Sequence, residues 1–219
     1  MASLKGILFD FDGLLCDTEQ AAWRSWVELY RRFGLEFPDE LWPAMVGHRD
    51  GESLGQADLS ARLAHPPGEQ LWRARRERKT ALAHRQPLRP GAWELIREAT
   101  RRGLRIAVVS SSSRDWVGGH LTRLGIVDEF AVIVCGQDVS LPKPAPDGYN
   151  IVLEKLGLDP AEAVALEDSL AGVTAARAAG VRCVAVPGPR SGPVAHHADL
   201  VVASLSHLNV STLERLGGP

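Results

Sequence analysis

Cysteine is scarce in this chain, and the three present, Cys16, Cys135 and Cys183, are odd in number and far apart. That usage argues against a disulfide framework and against a CxxC metal site. No window approaches ~18 uncharged apolar residues, so no membrane span is expected. A basic arm is missing and the formal net charge is −2, which removes nucleic acid from the expected partners. The opening stretch MASLKGILFDFDG turns acidic where a secretory segment needs a longer apolar core and a cleavage site. These absences lead to the expectation of a cytoplasmic protein. Lysine is rare as well, four residues against 21 arginines, so a lysine in a suggestive place carries weight.

What is present is ordinary globular material: 219 residues, 45% apolar and 24% charged. The length suits one large domain, or one domain carrying an insertion. Short apolar runs rich in β-branched residues recur at Gly6–Phe9, Arg105–Val109, Phe130–Cys135, Ala163–Leu166, Val181–Val186 and Asp199–Val202. Their apolarity is continuous rather than alternating, the pattern of strands covered on both faces in a parallel sheet. Helical spacers over Ala92–Arg102, Asp115–Leu124, Tyr149–Leu156 and Ala171–Ala179 are followed by Gly103, Gly125, Gly157 and Gly180, residues suited to stopping a helix. The C-terminal two thirds therefore predict a βαβ array.

Nearly a hundred residues separate the first strand from the second, far more than a simple crossover needs. Residues 18–85 show no convincing strand. Instead Trp23, Trp26, Val27, Tyr30 and Phe33 recur at helical steps, and Leu71–Leu82 is rich in Arg and Ala. Four of the six tryptophans sit here. A long insertion with its own aromatics predicts a small helical domain. Leu15–Thr18 and the Pro- and Arg-bearing Gln86–Gly91 are its expected linkers.

In an open parallel sheet, ligands bind beyond the carboxyl ends of the strands. After the first strand come Asp10 and Asp12, two acids projecting to one side of an extended segment, and then Gly13. After the second come Ser110, Ser111, Ser112 and Ser113 at a helix start. Lys143 precedes Pro144 in a stiff loop, and Glu167 and Asp168 follow the fourth strand. Carboxylates at this density repel one another unless a hard cation sits among them. Mg²⁺ prefers oxygen ligands and keeps room for a substrate phosphate. A lysine and helix-start amides suit phosphoryl oxygens. One carboxylate can attack phosphorus while a second acid protonates the leaving oxygen. The chemistry implied is metal-assisted phosphoryl transfer through an aspartyl-phosphate.

The ordered segments DFDGLLCDTE, VVSSSS, LPKPAPDGY and ALEDSLAGVTAARAAG resemble the haloacid dehalogenase (HAD) superfamily, in its branch of sugar-phosphate phosphatases and β-phosphoglucomutase-like proteins. A lone Asp pair at a strand end more often serves a turn or a helix cap. Four motifs in order, each after an expected strand, outweigh that reading. The resemblance implies an α/β fold, a HAD-like Rossmannoid parallel-sheet core of residues 1–17 and 86–219 with an inserted α-helical cap of residues 18–85. It further implies Asp10 as nucleophile and Asp12 as general acid and base. Mg²⁺ would be held by the Asp10 carboxylate, the Asp12 carbonyl and Asp168, with Glu167 directly or one layer behind. Ser110, the Ser111 amide and Lys143 would grip the phosphoryl group. One of Ser112 or Ser113 is expected to cap the following helix. Asp17 and Thr18 are read as hinge residues, the tryptophans as cap core, and His196 and His197 as a solvated pair in a polar turn.

Other enzyme classes lack their signatures. The P-loop pattern, GxGxxG after the first strand and HExxH are all absent. Asp12 argues against the dehalogenase and phosphonate-cleaving branches, which resemble this pattern without that acid. Where β-phosphoglucomutases carry a histidine in the first cap helix, this chain reads Thr18 to Trp23 without one. The expectation is thus a Mg²⁺-dependent phosphatase of a small phosphorylated metabolite. A phosphosugar mutase is the alternative, and a non-catalytic phospho-ligand module is the reading from a different class.

Overall fold

The computed structural model describes residues 3–45, 51–191 and 197–216. Strand β1 (Gly6–Phe9) is followed by four helices, α1 (Thr18–Arg31), α2 (Trp42–Met45), α3 (Gly51–Arg62) and α4 (Glu69–Ala83). From α5 (Ala92–Arg101) onward, strands and helices alternate: β2 (Arg105–Val109), α6 (Arg114–Arg123), β3 (Val132–Val134), α7 (Asp147–Leu156), β4 (Ala163–Glu167), α8 (Leu170–Ala178) and β5 (Arg182–Ala185). The short β6 (Leu200–Val201) and α9 (Val210–Arg215) complete the order. All pairings are parallel, and the six strands lie in the order β3-β2-β1-β4-β5-β6.

Alternation within strands explains why this sheet must be covered twice. Ile7 and Phe9 of β1 join one core with Leu95 and Ile96 of α5, Leu121 of α6 and Leu213 of α9. Leu8 points the other way, into a second core with Tyr149 and Val152 of α7 and Val173 of α8. Ile7, Leu8 and Phe9 are completely buried, each contributing roughly 1.5–3 kcal/mol of apolar transfer. The continuous apolar runs therefore form strands sandwiched between helices, as expected.

Three strands are shorter than their apolar runs; β5 loses one residue at each end of Val181–Val186, and the other two lose half of theirs. The expected Phe130–Cys135 strand narrows to Val132–Val134 because its ends have other partners. Phe130 turns its ring edge-on to Phe9, with centroids 6.0 Å apart, and the Cys135 amide donates to Asp138 Oδ2 at 2.7 Å. Likewise Asp199–Val202 reduces to two residues at the sheet edge. Gly103, Gly125, Gly157 and Gly180 all take left-handed φ between 60° and 78°, as helix stops require.

The inserted helices have a core of their own. Trp26, Tyr30, Phe37, Trp42, Met45, Leu59 and Trp72 are buried together, with Trp26 and Trp72 centroids 6.3 Å apart. Phe33 does not join them; it lies past the end of α1 and is 40% exposed. Two chain segments join these helices to the sheet and run side by side. Cys16 and Leu88 form a bridge, and the Arg89 amide donates to the Leu15 carbonyl at 2.9 Å. Among the described residues no helix is long and apolar enough to cross a membrane.

Candidate active site

The chain first runs from β1 to β2 and β3 on one side, then returns to place β4 on the other side of β1. The switch point lies between β1 and β4, where such sheets leave a crevice at their carboxyl ends. Asp10 sits there, its amide donating to the Leu166 carbonyl at 3.0 Å. Gly13, three residues further, has φ of 81°, and a Cβ on it would run into the Asp168 carboxylate. Only glycine permits both the turn and that approach.

Lys143 organises the acids. Its Nζ donates to Asp10 Oδ1 at 2.6 Å, Glu167 Oε1 at 2.6 Å and the Val109 carbonyl at 2.7 Å. All three ammonium hydrogens are thus committed. Glu167 Oε1 also accepts from Tyr149 Oη at 2.5 Å, while Oε2 is buried without a partner. Asp12 is differently served. Its Oδ1 accepts from Thr18 Oγ1 at 2.6 Å and Trp116 Nε1 at 2.8 Å, and its Oδ2 from Ser112 Oγ at 2.6 Å and Ser110 Oγ at 3.3 Å. Ser113 is the helix cap of α6, accepting from the Trp116 amide at 3.2 Å.

Asp10, Asp12, Ser110, Ser111, Lys143 and Asp168 line one cavity of about 300 Å³. Its opposite wall comes from the inserted helices: Glu19, Ala22 and Trp26 of α1, Trp42 of α2, Glu52 of α3, and Arg75 and Lys79 of α4. Glu167 stands behind Lys143, fully buried and outside the cavity lining. His196 and residues 47–50 lie outside the described residues, and His197 is exposed. Thr18, Ser112, Tyr149 and Trp116 were not expected to touch the acids. Thr18, Ser112 and Tyr149 carry a signal, since all three lie inside the quoted motifs; the approach of Trp116 depends on tertiary packing and leaves none.

Charge is out of balance here. Burial is the main force raising the Asp10 pKa well above the usual carboxylate range. Lys143 pulls it down, and Glu167 and Asp12 push it further up. Asp168 is raised for the same reason, with Asp10, Glu19 and Glu167 adding to burial. Glu19 is pushed up to about 7, first by burial and then by Asp12. Burial opposes the Lys143 charge, yet Asp10 and Glu167 outweigh it and raise its pKa.

Carboxylate oxygens of Asp10, Glu167 and Asp168 all lie within 4.8 Å of one another. Three buried oxygen donors with one ammonium between them, and an orphaned Glu167 Oε2, fit a hard divalent cation. Asp10 and Asp168 bind protons more tightly folded than unfolded, so their contribution is full below about pH 4 and is lost as pH rises through the folded values. A bound cation should therefore stabilise most at neutral pH. At a hundredfold excess over Kd, a divalent cation should raise Tm by about 5–10 °C near pH 7.5, and by less near pH 5, where it must displace protons. Thermal melts with Mg²⁺ or EDTA at the two pH values check this; an equal gain at both would contradict it.

The sequence profile described as Haloacid dehalogenase-like hydrolase matches residues 7–186. The chain belongs to that family. This haloacid dehalogenase-like hydrolase is 33% identical to hexitol phosphatase A of Escherichia coli, over 94% of each chain. It is 28% identical to β-phosphoglucomutase of Bacillus subtilis, over 96% of its own length and 94% of that protein. Among solved structures, CbbY from Rhodobacter sphaeroides in complex with phosphate superposes with a TM-score of 0.76 at 33% identity, covering 94% of this chain and 96% of that one. A CbbY mutant bound to xylulose-(1,5)bisphosphate matches equally well. The hydrolase thus shares its α/β fold with proteins that hold phosphate and phosphorylated sugars.

Proposed function

We propose that this hydrolase is a Mg²⁺-dependent phosphatase that cleaves a small phosphorylated metabolite, a sugar phosphate, through an aspartyl-phosphate on Asp10. The observation that carries this reading is the pair of unlike acids on one cavity wall. Asp10 is buried and held by a lysine on Oδ1, and Asp12 is held by four donors with Oδ2 at the serines. Asp10 attacks phosphorus, the bond to the leaving oxygen breaks, and Asp12 gives that oxygen its proton. Water then attacks the acyl phosphate with Asp12 taking its proton, and the bond to Asp10 breaks to release inorganic phosphate. Ser110, Ser111 and Lys143 bind the transferring group. Lys143 reaches it by exchanging its Asp10 bond for a phosphoryl oxygen, an exchange favoured because esterification removes the Asp10 charge. Mg²⁺, held by Asp10, Asp168 and the Asp12 carbonyl with Glu167 supporting, would neutralise phosphoryl charge when bound.

Residues 1–17 and 86–219 serve as the core and residues 18–85 as a cap, hinged at the paired linkers Leu15–Thr18 and Gln86–Gly91. The cavity suits a small ligand, being near the roughly 300 Å³ lower end of small-molecule pockets. Glu52 can accept from substrate hydroxyls, and Arg75 and Lys79 can donate to hydroxyls or to a second anion on the substrate. Three unpaired, buried cysteines suit a reducing cytoplasm. Ala22 on the cavity wall supports hydrolysis over mutase activity, because no imidazole is available there to align a sugar hydroxyl. The test supplies β-glucose 1-phosphate with a trace of the 1,6-bisphosphate, and a panel of sugar phosphates, in Mg²⁺ and then in EDTA. Phosphate release from sugar phosphates in Mg²⁺ only, with negligible glucose 6-phosphate, is expected. Efficient conversion to glucose 6-phosphate without phosphate release would replace the phosphatase with the mutase.

A further inference from the structure

Asp12 is held asymmetrically. Its Oδ2 accepts from the hydroxyls of Ser110 and Ser112, both of which line the cavity. Its Oδ1 accepts from Thr18 Oγ1 at 2.6 Å and Trp116 Nε1 at 2.8 Å. A serine or threonine hydroxyl rotates between donating and accepting, whereas an indole N–H only donates. An oxygen facing that N–H has no room for a proton of its own in that direction. We propose that Trp116 is a positioning residue that keeps Asp12 Oδ1 an acceptor and so confines the exchangeable proton to Oδ2, the oxygen at the cavity. This rests on the reading of Asp12 as proton donor to the leaving group. When the phosphorus–oxygen bond breaks, its electron pair takes the Oδ2 proton, and Asp12 remains as a carboxylate with Oδ1 still on the indole.

The indole is clamped from both sides of the cavity. Lys79 Nζ of α4 lies 4.7 Å from its ring centroid, and the His120 ring meets it nearly edge-on at 4.5 Å. Ala21 of α1 and Leu82 and Ala83 of α4 pack against it. His120 is kept neutral, its pKa drawn down to about 4 by burial and by Arg123 and His84, so it adds no charge beside Asp12. Trp116 itself stands outside the cavity lining. Its contacts with α1 and α4 exist only while these helices sit on the core, so the orientation of Asp12 is tied to their seating.

The test compares kcat/KM of the native enzyme, Trp116→Phe and Asp12→Asn on p-nitrophenyl, phenyl and benzyl phosphate. Phenylalanine keeps an aromatic ring and removes the N–H. The nitrophenolate departs without a proton, so Trp116→Phe should be near native on p-nitrophenyl phosphate. It should lose about tenfold on benzyl phosphate, the scale of one hydrogen bond to a charged group. A loss of equal size on all three, as a structural role would give, or no loss, overturns the role of Trp116. If Asp12→Asn also loses equally on all three, the acid assignment fails and takes this proposal with it. A steep Asp12→Asn beside a flat Trp116→Phe overturns Trp116 alone. Should Trp116→Phe not fold, the chain with isotopically labelled tryptophan decides: one of its six indole N–H signals should move on Asp12→Ala. If none moves, the hydrogen bond and the proposal both fall.

Discussion

Replacing Asp10 with asparagine should reduce turnover by about 10⁴-fold or more, the scale seen when an attacking group is removed. The amide keeps the shape of the side chain but cannot attack phosphorus. Asp10 is buried with its Oδ1 on Lys143, while Glu167 is behind the lysine and Asp12 is held by four donors, so neither of these two acids can slide into its place. Folding should survive, because one charge in an overloaded acidic cluster becomes neutral. Tm of the metal-free variant should therefore match or exceed that of the native chain near neutral pH, and steady-state phosphate release measures the loss. A variant with a near-native rate would remove Asp10 from the chemistry.

Lys143→Met should be the most damaging change to stability within the site. The lysine side chain is 8% exposed and its partners 9% and 0%, so its loss leaves two carboxylates buried together without an ammonium. Breaking a buried ion pair costs about 3–5 kcal/mol, which for a chain of this size lowers Tm by about 10 °C. The pH sign distinguishes this from a packing defect. Protonated carboxylates need no counter-charge, so the deficit should shrink near pH 4 and widen toward neutrality. Saturating Mg²⁺ should recover part of it. A deficit independent of pH and of the cation would mean that packing, not charge, is what the methionine disturbs.

The arrangement of the fold was legible where the residues left only one solution. Gly6–Phe9 and Arg105–Val109 are short apolar runs with sharp boundaries, and both form strands over those very residues. Their continuous apolarity demanded helices on both faces. The helical nature of residues 18–85 was readable from Trp26 and Tyr30 one turn apart; Phe33, in the same spacing, fell beyond the helix end. The acids were readable because each follows a strand. What surrounds them was not. Trp116 reaches Asp12 through the packing of α6 beneath α1 and α4, and Arg75, Lys79 and Glu52 reach the cavity only through the arrangement of those helices. A single chain's spacing carries no record of such long-range contacts. Glu167 shows the same limit: adjacency to Asp168 placed it near the site, but its position behind Lys143 follows from the alternation of β4 side chains across the sheet.

A covalent phosphoryl group on Asp10 is the step on which the proposed reaction turns. The most direct measurement is rapid acid quenching of the native enzyme during turnover of a radiolabelled phosphomonoester in Mg²⁺, followed by peptide mapping. Label that hydroxylamine removes, on the peptide carrying Asp10 and absent from Asp10→Asn, is the predicted result. Turnover with no protein-bound label, or a hydroxylamine-resistant label on the Ser110 peptide, would contradict it.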